Sequence, residues 1–397
     1  MNGRKIAYLD GLRGLAALAV VLAHYFQVFV PAMFENRMDI SHFAFDRVVP
    51  KTPLNVLYNG NFAVCLFFVL SGYVLSCRFF RDHDRGLIAG SLIRRYFRLA
   101  VPAFVSVLLA YTVMALGLNT YGEIQALTLS PMPDPYAVMP GFGEMVWQTL
   151  FHTFFTYGMA YNPVLWTMTY ELLGSFMVFA VLLLLGTSPI RFVVYAAGIW
   201  FFRDSYYLGF WFGMLLSDLT NSSTASKVRI PSRAAVGLLT LSGLYLGSYP
   251  YVSPTGFFYQ WLPLGGGFPN AIAYRTLGAL LVIVSLLNSC SSQRWLESRP
   301  AVYLGRLSFS LYLVHFAVLC SLSGYLFKLF SGSFSYGWSF VLTTVLSLPF
   351  IFVLAHLLYV GVDSRIVKLL SRVHVPGHRR RAGRHAVSVP ANQTKNM

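Results

Sequence analysis

From Tyr8 to Val30 the chain is one long, mostly apolar stretch, and comparable segments recur near 61–79, 99–118, 163–186, 190–202, 205–219, 234–249, 270–289, 307–330 and 338–362. About twenty apolar residues carry a helix across the hydrocarbon core of a bilayer. Within that core every backbone N–H and C=O must find its partner inside the segment, so such stretches become helices. The recurrence therefore predicts an all-α fold, a polytopic transmembrane helical bundle of about ten spans. The fifth and sixth segments are short enough to be one re-entrant pair, and nine or eleven spans stay open. Only 11% of the 397 residues are charged and 56% are hydrophobic, whereas a soluble domain carries about a quarter charged residues. Such a chain cannot cover itself against water and takes the lipid bilayer as its partner. The first stretch is also longer than the roughly 7–15 residue core of a cleaved secretory signal, and reads as a first span.

The net charge of +16 would suit a nucleic-acid binder, but no such motif is present and the basic residues sit at the ends of apolar runs. If the spans alternate, one side collects Arg4, Lys5, Arg13, Arg78, Arg81, Arg85, Arg94, Arg95 and Arg98. The same side then gains Arg191, Lys227, Arg229, Arg233, Arg294, Arg299, Arg306 and the basic tail. Loops 119–162 and 250–269 carry no Lys or Arg. By the positive-inside rule both termini are cytoplasmic, and nucleic acid is excluded as a partner. The division expected is a membrane domain over 1–362 and a basic, disordered cytoplasmic tail over 363–397, held near anionic lipid and without a catalytic role. The membrane is expected to be the endoplasmic reticulum or the plasma membrane. Loop 119–162 includes an aromatic run, Trp147 to Tyr157, suited to an interfacial helix. The glycosylation patterns at Asn221 and Asn392 fall on the cytoplasmic side and are expected to stay unmodified. The cysteines, Cys65, Cys77, Cys290 and Cys320, match neither a zinc pattern nor a disulfide framework; no metal is expected.

Ionisable side chains are costly inside a bilayer and need a reason. The first span holds Asp10, Arg13 and His24. Arg13 and His24 are eleven positions apart, which at about 100° per residue puts them within roughly 20° of one helix face and about 16 Å apart. Asp10, one turn before Arg13, can pair with it. A guanidinium at one end of a face and an imidazole deeper in suit a long donor with an anionic head and a reactive tip. Arginine grips phosphate through several hydrogen bonds, and histidine is a general base near neutral pH. Acyl-CoA has that form, with no separate cofactor. The alternatives are a snorkelling Arg13 and a His24 that only packs.

Glu171, in the fourth span, must protonate or find a cation. It lies about 12 Å below the outer surface, where it could meet His24 and orient the imidazole, or hold an acceptor hydroxyl, or form a structural pair with an arginine or histidine. In the ninth span Ser308, Tyr312 and His315 share a face and either line a substrate cavity or join helices. Arg94, Arg95 and Arg98 lie between the second and third spans, where they could bind CoA phosphates or lipid headgroups, or simply set topology.

In order along the chain, these segments resemble the acyltransferase-3 family, membrane enzymes that move acyl groups from acyl-CoA to hydroxyls. Tyr8 to Ala17 followed by His24 is similar to its first-helix motif, and Phe67-Phe68-Val69-Leu70-Ser71-Gly72-Tyr73-Val74-Leu75 to its second-helix signature. The Arg94-to-Leu99 turn, the Trp166-to-Glu171 stretch and Ser308 to His315 follow the same pattern. The resemblance implies that His24 and Arg13 are the core functional pair, with Arg98, Trp166 and Glu171 in support. Many bacterial members have two adjacent acids in the fourth helix; here Leu172 follows Glu171. No esterase-like domain follows the membrane part, as it does in some relatives, so the acceptor is expected to enter the membrane cavity directly. The layout looks like that of fungal members, some of which modify secondary metabolites.

The function expected is transfer of an acyl group, of acetyl size, from acyl-CoA to a hydroxyl of a small-molecule acceptor. In this reading His24 and Glu171 are catalytic. Arg13, Arg94, Arg95, Arg98, Trp166, Tyr312 and His315 bind substrate, and Asp10 supports Arg13. Two other readings stand beside it: a proton-coupled transporter with Asp10, His24, Glu171 and His315 as a relay, and an O-acetylase of cell-surface carbohydrate.

Overall fold

A computed structural model of the protein describes residues 7–35, 37–83, 85–222, 230–251, 258–262 and 268–372. Among the described residues there is no strand, as the apolar pattern requires. The principal helices are α1 (Ala7–Phe29), α2 (Gly60–Asp82), α3 (Gly86–Ala115), α4 (Trp166–Leu184), α5 (Arg191–Phe201), α6 (Leu208–Asn221) and α7 (Arg233–Gly247). There follow α8 (Phe268–Leu287), α9 (Cys290–Leu296), α10 (Arg299–Val318), α11 (Gly324–Ser331), α12 (Tyr336–Leu358) and α13 (Ser364–Arg372).

Six of the described helices are long and apolar enough to cross a bilayer: Ala7–Phe29, Gly60–Asp82, Gly90–Ala115, Pro163–Leu184, Arg299–Ser331 and Tyr336–Arg372. A seventh is added if α8 and α9, bent by 99° at their junction, count as one span. The expected ten is therefore not reached by length. The difference lies in α5, α6 and α7, of 11, 14 and 15 residues. At 1.5 Å per residue they run about 16 to 22 Å, short of the roughly 30 Å core.

α5 and α6 form an antiparallel hairpin, the re-entrant pair that their shortness allowed. At its base Arg191 Nε lies 2.5 Å from Asp218 Oδ2, and the Tyr195 hydroxyl donates to the same oxygen at 3.3 Å. At the turn Phe202 packs on Tyr207. α7 and α8 also run antiparallel. The Ile230 N–H donates to Asn288 Oδ1 at 2.9 Å at one end. At the other, the fully buried Arg275 donates to the carbonyls of Tyr249 and Pro250.

Other expectations shift as well. The Arg94-to-Leu99 segment is no turn; it lies inside α3, because nothing between Gly86 and Pro102 breaks the helix. The Trp147–Tyr157 run is a helix only in part, with a π-turn over Gln148–His152 and helix ending at Phe155. The tail does not begin at 363. A π-turn over Tyr359–Asp363 leads from α12 into α13, and residues 373–397 lie outside the described residues.

Two elements set the geometry of the centre. α1 and α10 run side by side in the same direction, and glycines bring them into backbone contact. A Cβ at Gly305 would lie 2.1 Å from the Asp10 carbonyl oxygen, and one at Gly14 would lie 2.6 Å from the Gly305 nitrogen. Small residues at crossings are what membrane helices need to approach this closely. At the outer end of α2, Asn59 caps the helix by accepting from the Phe62 N–H at 3.0 Å while its amide donates to the Tyr249 carbonyl.

Candidate functional site

The polar groups at the centre of the bundle fall into two parts. The first part lines a cavity of about 530 Å³ between α1, α2, α3, α4, α10 and α13. Asp10, Arg13, Arg95, Arg98, Glu171 and Tyr312 line it, together with Arg306, Asp363 and Lys368. His24, His315, Arg94 and Trp166 are not in its lining.

Within the cavity two cations, Arg13 and Arg95, are paired with carboxylates. Arg13 Nη1 lies 3.7 Å from Asp10 Oδ1, one turn away on α1. Arg95 Nη2 pairs with Glu171 Oε1, its Nε donates to Ser175 Oγ at 3.0 Å, and Ser71 Oγ donates to the same Glu171 oxygen at 2.6 Å. The second carboxylate oxygen, Oε2, is buried without a hydrogen-bond partner among the described residues. A buried acceptor left open in this way is suited to an N–H or O–H brought by a ligand.

Glu171 therefore meets Arg95 and not His24. The reason lies in where its span begins. The Asn162 side chain donates to the Leu313 carbonyl at 2.8 Å, and the Tyr312 hydroxyl reaches the Val164 carbonyl at 2.7 Å. The chain thus enters this span level with the middle of α10, already below the outer surface, and Glu171 falls deeper than a count from that surface gives. Arg94 turns its Nε onto the Gly90 carbonyl at 2.7 Å. Trp166 packs against Tyr170 and Tyr206.

At the narrow end of the cavity the hydroxyls of Thr167 and Tyr312 lie 2.7 Å apart. One helical turn beyond Tyr312 stands His315, fully buried, with Nε2 3.1 Å from Nδ1 of His24. The expected Ser308–Tyr312–His315 face is thus divided between the two parts. Arg13 lines the cavity, whereas His24 lies past its end; what joins them is the α10 face.

The hydrogen bonds fix the tautomers. His315 Nδ1 lies 3.1 Å from the Leu311 carbonyl, which only accepts, so that nitrogen carries the proton and Nε2 of neutral His315 is an acceptor. His24 Nδ1 then faces two acceptors, His315 Nε2 and the Val20 carbonyl at 2.9 Å, and must carry its own proton. What remains is His24 Nε2, a lone pair with no hydrogen bond among the described residues. A neutral imidazole held in that tautomer is a general base.

The acyltransferase-3 family model, described as an acyltransferase domain, matches residues 6–359. The chain belongs to this family. It is a multi-pass membrane acyltransferase, as its helices and its family both indicate. The chain is similar to Acyltransferase clz18 of Cochliobolus lunatus, with 26% identity over an alignment covering 81% of this chain and 84% of the relative. It is also similar to Acyltransferase R4 of a Phoma species, with 23% identity covering 84% of this chain and 85% of the relative. No solved structure matches it.

Several residues in or beside the cavity were missed by sequence reasoning. Ser71 lay within the second-helix signature without a role, and Ser175 sits one turn beyond Glu171, a spacing that could have marked it. Arg306 was read only as a topology charge. Lys368 was hidden in a tail whose overall basicity masked a short amphipathic helix.

Proposed function

We propose that this acyltransferase moves an acetyl-sized group from acyl-CoA to a hydroxyl of a small-molecule acceptor, with His24 as the base. The observation that carries the reading is the His315–His24 contact, which favours the tautomer with Nε2 of His24 free to accept a proton, past the Tyr312 end of the charged cavity. Nε2 takes the proton of the acceptor hydroxyl as that oxygen attacks the thioester carbonyl. The carbon–sulfur bond breaks, and the imidazolium returns the proton to the departing thiolate. The charged cavity would admit the CoA arm from the cytoplasm, where the positive-inside reading puts its cations. The open Glu171 Oε2 would accept from an N–H of the arm or from the acceptor. A fungal secondary metabolite as acceptor rests on the family resemblance of the sequence alone.

The test is thiol release from acetyl-CoA by the detergent-purified protein, supplied with a small-molecule extract of a strain lacking the gene. The wild type should release thiol in an extract-dependent manner and acetylate one component by mass spectrometry. His24→Ala should lower the rate by about 10²-fold or more, the usual contribution of a general base. Undiminished turnover in His24→Ala would remove the histidine from the mechanism.

A further inference from the structure

The cavity is lined by five cations, Arg13, Arg95, Arg98, Arg306 and Lys368, and by three carboxylates, Asp10, Glu171 and Asp363. The inner cations are paired: Arg13 with Asp10 and Arg95 with Glu171. Asp363 is buried and already engaged. Arg98, Arg306 and Lys368 are exposed, and their side chains have no hydrogen bond or ion pair among the described residues. They come from three separate helices, α3, α10 and α13, and converge on the rim of one cavity. Like charges gathered this way repel each other unless something anionic sits between them.

The place of Lys368 follows from the end of the chain that sequence reading set aside. After α12 the π-turn over Tyr359–Asp363 carries the chain into α13. Ser364, Val367 and Lys368 recur at i, i+3 and i+4, one helix face, and all three line the cavity together with Tyr359 and Asp363. The helix is thus a wall of the site and presents an ammonium group to its mouth.

We infer that Lys368, with Arg98 and Arg306, forms the subsite for the phosphate groups of the acyl donor, so that the C-terminal helix is part of donor recognition. The inference rests on the acyl-CoA reading given above. It moves phosphate binding outward, from the neutralised Arg13 and Arg95 to the three cations at the rim. Exposed cations bind a polyanion mainly through charge, which raises donor affinity and leaves the chemical step alone.

Steady-state kinetics with acetyl-CoA and a fixed acceptor extract test it. Lys368→Gln should raise the KM for acetyl-CoA about five- to tenfold, about the net scale of one ordinary hydrogen bond lost. The kcat and the apparent KM for the acceptor should stay within about twofold, and Lys368→Arg should resemble the wild type. Acetyl-3′-dephospho-CoA and added inorganic pyrophosphate give a second measurement. The wild type should lose affinity for the dephospho donor and be inhibited by pyrophosphate, and Lys368→Gln should do both less. An unchanged donor KM in Lys368→Gln, or a rise in the acceptor KM in its place, would overturn the subsite while leaving the donor reading intact. A wild type that releases no thiol from any CoA thioester would overturn the donor reading, and this inference with it.

Discussion

In the proposed reading His315 acts through its neighbour His24, so its replacement should reveal a positioning residue. In His315→Leu the His24 Nδ1 proton keeps only the Val20 carbonyl, and the ring loses the partner that holds its plane. We expect kcat to fall about ten- to a hundredfold, a loss of roughly 1.4–2.8 kcal/mol of transition-state stabilisation, with the donor KM unchanged. His315→Gln, whose amide oxygen accepts from Nδ1, should recover part of the loss. An unaltered kcat in His315→Leu would make the contact a matter of packing. The Arg95–Glu171 pair calls for a different design, because leaving one buried charge alone costs about 3–5 kcal/mol whatever its role. Glu171→Gln should therefore lower both thermal stability and activity. The double variant Arg95→Met, Glu171→Gln should regain stability; if it also regains activity, the pair is structural only. At this scale the sequence supplied the identities of the polar groups and not their partners. Glu171 in its apolar run had to find a cation or a neutral state, and a pair with an arginine was among the alternatives. Which arginine, and how far from His24, depended on the level at which the span enters, and spacing along one helix does not contain that.

Among the elements, the α1–α10 contact decides whether the histidines meet. The two helices touch through backbone at Gly14 and Gly305, and a Cβ at 305 would fall 2.1 Å from the Asp10 oxygen. Gly305→Ala must push the helices apart, at a cost of about 1–3 kcal/mol, and should separate His24 from His315. The melting temperature in detergent and the turnover number should both fall. Gly237, on α7, has nothing within 4 Å of an added Cβ. Gly237→Ala is thus the control, expected to leave activity unchanged and stability equal or slightly raised. Equal losses in the two variants would show that the contact does not control the site. Long helices such as α1, α2 and α12 were legible because apolar runs of spanning length have one solution in lipid. The short ones were legible only in part: α5 and α6 could be seen as a re-entrant pair, but their pairing through Arg191 and Asp218 could not. α13 escaped because nine residues of helix inside a basic tail give too short a pattern to stand out.

For the whole molecule, the question is which compartment the cationic rim faces. The six long described helices are an even set, and the α5–α6 and α7–α8 hairpins each return the chain to the side it left. The ends of the described chain, at α1 and α13, therefore lie on one side, the side where Arg13, Arg98, Arg306 and Lys368 gather. By the positive-inside rule that side is expected to be cytoplasmic, which is where an acyl-CoA donor would have to be. The native thiols provide the test: Cys290 on α9 is exposed and lies just before α10, whereas Cys65 and Cys320 are buried and Cys77 is half-buried. In sealed vesicles a membrane-impermeant maleimide should label Cys290 only when the cytoplasmic face is outward, and Cys290→Ser should abolish most of that labelling. In the Cys290→Ser background, Met139→Cys, in the exposed stretch between α3 and α4 that carries no Lys or Arg, should label only in vesicles of the opposite orientation. Labelling of Cys290 from the outer face would put the cations on the wrong side of the membrane for a cytoplasmic thioester. The donor would then have to be a carrier reaching the outer compartment, even with the histidine pair and its base unchanged.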